Sequence, residues 1–158
     1  VRFGPVALAD AEGAILAHTV RLSSGALKKG TILDDAAIAR LRADDLAEVA
    51  AAVLEAGDVG EDDAAARLAK LLAGTTIRAD AAFTGRANLF AETAGVLVVD
   101  RDAVDRLNRV DPSVTLATLP AFEAVEAGRM VATVKIIPFA VEGGVMQRTE
   151  AVLTGAPA

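Results

Sequence analysis

Five residues in a row, Thr84-Gly85-Arg86-Ala87-Asn88, have the types and spacing to hold an anion. Gly85 lets the backbone come close to a ligand, Arg86 offers a planar fork for phosphate or carboxylate, and Asn88 adds an amide. The same residues also suit a turn whose arginine pairs with one of the 22 acids and whose asparagine satisfies the backbone. Lys135 is the second candidate. It interrupts the run Met130-Val131-Ala132-Thr133-Val134-Lys135-Ile136-Ile137, where a cation must find a carboxylate or reach solvent. Lys135 is paired, in this reading, with the Gly85-Arg86 turn. The candidate binding residues are therefore Gly85, Arg86, Asn88 and Lys135.

Other groups carry weaker chemistry. Lys28-Lys29-Gly30 has two cations beside a glycine but lacks the longer glycine loop of a P-loop, and it reads equally as a solvated hairpin turn. Asp58, Glu61, Asp62 and Asp63 could hold Mg²⁺. Asp58 and Glu61 also have the spacing of a helix capping box, which explains them without a metal. His18 has no second histidine and no acid near it in sequence. Asp58, Glu61 and Lys135 offer no nucleophile–base spacing, so no catalytic residue and no metal ligand is assigned.

Composition narrows the classes. There is no cysteine, which removes disulfides, thiolate catalysis and cysteine-ligated metal sites. Aromatics are 3% of the chain, with no Trp or Tyr, which opposes base stacking on single-stranded nucleic acid. The net charge of −6 opposes general binding to a phosphate backbone, although a local basic spot can still take one small anion. No stretch approaches the roughly 18–20 apolar residues of a membrane span, and the N-terminus lacks a signal-peptide layout. No nucleic acid and no membrane are expected as partners, and a cytoplasmic location is the default. Val1 in place of Met reads as a processed or excised piece.

The elements that must position these residues mix short strands with short helices, so the expected fold class is α+β, mostly antiparallel, with three short helices. Residues 1–33 read as strands and turns. Asp34 and Asp100 are N-caps of two helices, with Leu33/Ile38 and Val99/Val104 as staples. The segment 46–54 leans to strand. The acids at 58–63 open the best helix, with Leu68, Leu71 and Leu72 inward and Gly74 as its stop. Alternation over 130–141 puts Met130, Ala132, Val134 and Ile136 on one face and Val131, Thr133 and Lys135 on the other. Both faces are mostly apolar, so burial on both sides is expected. Two sub-blocks are expected, 1–74 and 75–142, followed by a tail or linker over 143–158 because the pattern weakens after Gly143-Gly144.

Four phrases, taken in order, resemble the N-terminal region of bacterial molybdopterin-binding proteins of molybdenum-cofactor biosynthesis. They are Gly13-Ala14-Ile15-Leu16-Ala17-His18 with Leu27-Lys28-Lys29-Gly30; Gly57-Asp58-Val59-Gly60-Glu61-Asp62-Asp63-Ala64-Ala65; Thr84-Gly85-Arg86-Ala87-Asn88-Leu89; and Thr133-Val134-Lys135-Ile136-Ile137-Pro138-Phe139. The family's molybdopterin-binding domain carries a Gly-Gly-(Thr/Ser)-rich loop before a phosphate-facing helix, and nothing here answers to it. Gly143-Gly144 runs into Val145-Met146 instead. The resemblance implies an accessory, non-catalytic domain that orients a molybdopterin-binding domain of the same or a partner chain, in a homo-oligomer. Its ligand would be molybdopterin or its nucleotide form, not bound tightly by this segment alone. The alternative is an oligomerisation module with no ligand of its own, in which Arg86 and Lys135 are ordinary ion-pair partners.

Overall fold

A computed structural model describes residues 1–155. The chain is α+β and divides into two compact units, Val1–Ala56 and Gly57–Ala158. The boundary thus lies before Gly57 rather than near Gly74. The reason is packing: the long helix after Gly57 buries Leu68 in the same core as Leu89, Val134 and Ile136 from later strands.

The first unit contains β1 (Arg2–Ala7), β2 (Ile15–Leu16), β3 (Val20–Leu22), β4 (Gly25–Leu27), α1 (Asp35–Ala43) and β5 (Glu48–Val53). β5 is the middle strand of an antiparallel sheet in the order β1-β5-β2, and β3 and β4 form a separate ribbon. Asp34 caps α1 by accepting from the Ala37 amide at 2.7 Å, and Leu33 and Ile38 are buried in one cluster with Leu16 and Leu41. α1 ends without a glycine. The Leu46 amide donates to Leu41 O and the Asp45 amide to Arg42 O, while Asp45 takes φ 58°. That is a Schellman motif with aspartate in the left-handed position.

The second unit contains β6 (Val59–Gly60), α2 (Glu61–Leu72), β7 (Ile77–Ala79), β8 (Arg86–Ala91), β9 (Gly95–Val96), α3 (Arg101–Asn108), β10 (Val114–Thr118), β11 (Ala124–Val125), β12 (Met130–Ile136), β13 (Ala140–Val141) and α4 (Gly143–Thr154). Its frame is a four-stranded antiparallel sheet in the order β10-β12-β8-β7. α2 buries Ala64, Ala65, Leu68 and Ala69 in the core that also holds Ala87, Leu89 and Ala91 of β8. α3 lies along β10, and α4 touches both α2 and α3. Asp100 caps α3 by accepting from the Ala103 amide at 2.9 Å.

Three expectations about this unit change. First, β12 is covered on one side only. A bulge between Met130 and Ala132 breaks the strict alternation, so Val131, Val134 and Ile136 are all buried while Met130 and Lys135 are exposed. Second, α2 starts at Glu61 with Gly60 as its N-cap and no side-chain cap, so Asp58 stands outside the helix. The Glu61 amide goes instead to Phe139 O at 2.9 Å. Third, the expected tail at 143–158 contains α4, a fourth helix, which buries Val145, Met146 and Thr149; positions 156–158 lie outside the described residues. The glycines that read as a breaker are a close approach: a Cβ on Gly143 would come 2.6 Å from Gly57 O.

Candidate functional site

With the helices packed on one side, the outward residues of β8 and β12 form an open sheet face. It starts at the turn that joins the β8 hairpin. The Phe83 and Arg86 backbones exchange hydrogen bonds at 2.9 and 3.2 Å, and Thr84 and Gly85 between them take φ 51° and 70°. Two positive φ values in a two-residue loop make a type I′ turn, whose twist matches the flanking strands. Gly85 has a second reason to be glycine. A Cβ there would lie 2.6 Å from Glu61 Oε2 and 2.9 Å from Ile136 O. The turn is tied down by its own amide, which donates to Asp62 Oδ1 at 2.7 Å. Asp62, weighed from sequence as a Mg²⁺ ligand, therefore holds the hairpin, and among the described residues no three His, Cys, Asp or Glu side chains come together as a metal-holding group.

Beyond the turn the predicted residues come together. Lys135 is the direct cross-strand partner of Arg86, and Thr133 is that of Asn88. Directly opposed side chains on one face stand with Cβ atoms about 4.5–5.5 Å apart. Both cations are exposed, and among the described residues neither has an ion pair or a side-chain hydrogen bond. The Thr133 hydroxyl donates to Asn88 Oδ1 at 2.9 Å, which orients the Asn88 side chain and leaves its NH₂ without a partner among the described residues. On the next strand Thr115 lies opposite Lys135 and donates its hydroxyl to Lys135 O at 3.1 Å.

A third cation on this face is already engaged. Arg78, across from Phe90, pairs with Asp80 and with Glu92 at 2.9 Å, and its guanidinium sits 4.9 Å from the Phe90 ring centre. The contrast is informative: Arg78 has acids on its own strand end and in the neighbouring loop, whereas Arg86 and Lys135 have each other. Two positive charges stand side by side in a chain of net charge −6, with the Asn88 side-chain NH₂ beside them, an arrangement with the chemistry to take a small anion.

The hold of Asp62 on the turn and the places of Thr133 and Thr115 beside the two cations escaped the sequence reading. Alternation puts Thr133 on the Lys135 face, but its place opposite Asn88 and that of Thr115 opposite Lys135 follow only from strand order, and the Asp62 bond only from the turn folding back on α2. The remaining sequence candidates belong to the first unit. His18 is exposed. The Lys28–Gly30 segment is a turn closed by the Thr31 amide on Lys28 O, with the Lys29 amide donating to Thr19 Oγ1 at 3.2 Å.

Compared with family models, with curated proteins and with solved structures, the chain matches none. Among the described residues no helix is long and apolar enough to cross a membrane.

Proposed function

We propose that the second unit is a non-catalytic anion-binding module, which holds the phosphate-bearing end of molybdopterin or its nucleotide form during molybdenum-cofactor assembly. The observation that carries the anion is the Arg86–Lys135 pair, two exposed cations opposed across β8 and β12 with no acid among the described residues engaged by either. Arg86 supplies the fork, Lys135 the point charge, and the Asn88 side-chain NH₂ a neutral donor beside them, oriented by the Thr133 hydroxyl that donates to Asn88 Oδ1. Gly85 positions Arg86 through the turn. The pterin is supported by the four sequence phrases, two of which supply these residues. In this reading the module acts in the cytoplasm and presents its ligand to a molybdopterin-binding domain of the same or a partner chain. That division of labour would leave the affinity of the isolated module modest, because an open sheet face does not enclose a ligand.

Isothermal titration tests it with inorganic phosphate, with molybdopterin and with its nucleotide form. Binding should weaken at least tenfold in an Arg86→Ala, Lys135→Ala double variant and fall as salt is raised. If wild-type protein takes up none of the three, the reading is abandoned. If phosphate binds but the pterin compounds bind no better, the anion site stands and the pterin is dropped.

A further inference from the structure

The row of side chains that carries the two cations continues past Arg86. Phe83 is the antiparallel bridge partner of Arg86, Arg86 is that of Lys135, and Lys135 is that of Thr115. Direct partners on a ladder point to the same face. Phe83, Arg86, Lys135 and Thr115 therefore stand side by side on the open face of the sheet. α2 packs on the other face, over Ala87 and Leu89. The acids that reach the turn come from α2 as well: Asp62 accepts from the Gly85 amide at 2.7 Å, and the Glu61 carboxylate lies against Gly85.

Phe83 is 74% exposed, in a chain with five phenylalanines and neither Trp nor Tyr. An exposed ring by itself says nothing of what meets it; here its neighbours do. The other ring on this face, Phe90, is already covered, since the Arg78 guanidinium sits 4.9 Å from its centre. Arg86 stands in the same cross-strand relation to Phe83 as Arg78 does to Phe90. Among the described residues, however, Arg86 makes no such contact and Phe83 has no ring or cation partner. One aromatic face, one guanidinium fork and one ammonium group are thus open together, in that order across the strands.

We infer that Phe83 is the stacking platform of the anion site, whose ligand is a planar heterocycle joined to a phosphate. This rests on the anion reading of Arg86 and Lys135 and adds the ring to it. The dimensions agree. Each cross-strand step separates Cβ atoms by about 4.5–5.5 Å, so Phe83 and Lys135 lie about 10 Å apart. A ring laid on Phe83 brings a phosphate, attached through one sugar or one fused ring, onto Arg86 and Lys135. Stacking accepts any planar ring, so purines and pterins share this chemistry. A single free ring beside two cations suits one heterocycle and one phosphate rather than a nucleic-acid strand, in keeping with the net charge of −6.

Isothermal titration of the whole chain tests this with inorganic phosphate, ribose 5-phosphate, GMP and neopterin monophosphate. In wild-type protein a ring-bearing phosphate should bind at least about fivefold tighter than ribose 5-phosphate, the low end of stacking on an aromatic side chain. Phe83→Ala should bring that ratio to unity, and Phe83→Tyr should restore it. The Phe83 side chain is exposed, so both variants should melt with the wild type. A larger gain for GMP assigns the ring to a nucleotide, a larger gain for neopterin monophosphate assigns it to a pterin, and equal gains assign it to planar rings as a class. A wild-type ratio of unity, or a Phe83→Ala variant that keeps the wild-type ratio, overturns the platform, while binding of phosphate and ribose 5-phosphate leaves the anion site standing. Wild-type protein that takes up none of the four probes overturns both.

Discussion

Lys135 on β12 faces Arg86 on β8 as its direct cross-strand partner, and no acid among the described residues engages either. Like charges directly opposed on a sheet are destabilising, by about 0.2–1 kcal/mol relative to neutral pairs. A fold selected for stability alone would place an acid at one of the two positions. Lys135→Glu should therefore raise the stability of the second unit by up to about 1 kcal/mol, read as a higher urea midpoint, while it abolishes phosphate binding. A variant that is less stable, or that still binds phosphate as wild type does, contradicts the assignment of this pair to an anion.

The two residues of the hairpin turn should respond in opposite directions. Thr84 and Gly85 both occupy positive φ, but only Gly85 is suited to it. Thr84→Asn replaces a β-branched residue with one that tolerates this region, and should stabilise by about 1 kcal/mol. Gly85→Ala meets both the left-handed penalty and the Ile136 carbonyl 2.9 Å from its Cβ. The Glu61 carboxylate can swing aside; the β12 backbone cannot. A loss of about 2 kcal/mol or more is expected. Chemical denaturation of both single variants checks the sign at each position.

How much of this could be seen beforehand differs from element to element. Asp34 and Asp100 were legible as caps because each lies three residues before the amide it accepts from, a purely local relation. The strand at Glu48–Val53 was legible from its place between a helix and a turn. Asp45 was not, because a Schellman motif is normally advertised by glycine, and here aspartate takes that conformation. The bulge at Met130 and Ala132 was invisible for another reason: alternation predicts faces only while the ladder is regular, and Val131 and Val134 point inward together once it slips. Gly143 misled because a glycine needed for close approach to Gly57 O looks, in sequence, like one that ends an element. At the site, Arg86, Asn88 and Lys135 announced themselves by charge and amide chemistry, and Lys135 was matched to the Arg86 turn. Thr133 and Thr115 contribute through strand order, which no local pattern encodes.

Asn108, the last residue of α3, reads the backbone of the edge strand β10 like an added strand. Its Nδ2 donates to Leu116 O at 2.9 Å and its Oδ1 accepts from the Leu116 amide at 2.8 Å. One amide thus satisfies both polar groups of a buried residue on the unpaired side of the sheet. Asn108→Ala should cost about 1–3 kcal/mol and speed hydrogen exchange at the Leu116 amide. Asn108→Asp keeps the acceptor but loses the donor, so Leu116 exchange should stay slow although stability drops. Equal exchange rates in the two variants would sink this account of the edge.

Acid should loosen the first unit through Asp44. The Ser23 hydroxyl donates to one oxygen of this carboxylate at 2.6 Å and the Ser23 amide to the other at 2.7 Å, with the Arg40 charge nearby. The hydroxyl is the largest influence, the amide next, and together they hold the Asp44 carboxyl below its ordinary value of 3.8. A folded-state pKa below the unfolded one contributes stability that is fully present above the unfolded value. It is lost as pH falls through the folded value. The first unit should thus weaken from about pH 4 downward, and the ribbon of β3 and β4, which Ser23 connects, should separate from the end of α1. Ser23→Ala leaves the amide bond but removes the stronger donor, so Asp44 should titrate closer to 3.8. Asp44→Asn should remove this part of the pH dependence altogether. Carbon-detected NMR titration of the Asp44 carboxyl in wild-type and Ser23→Ala protein measures both shifts directly, and a wild-type carboxyl that titrates at the ordinary value would show that the Ser23 bonds do not persist in solution.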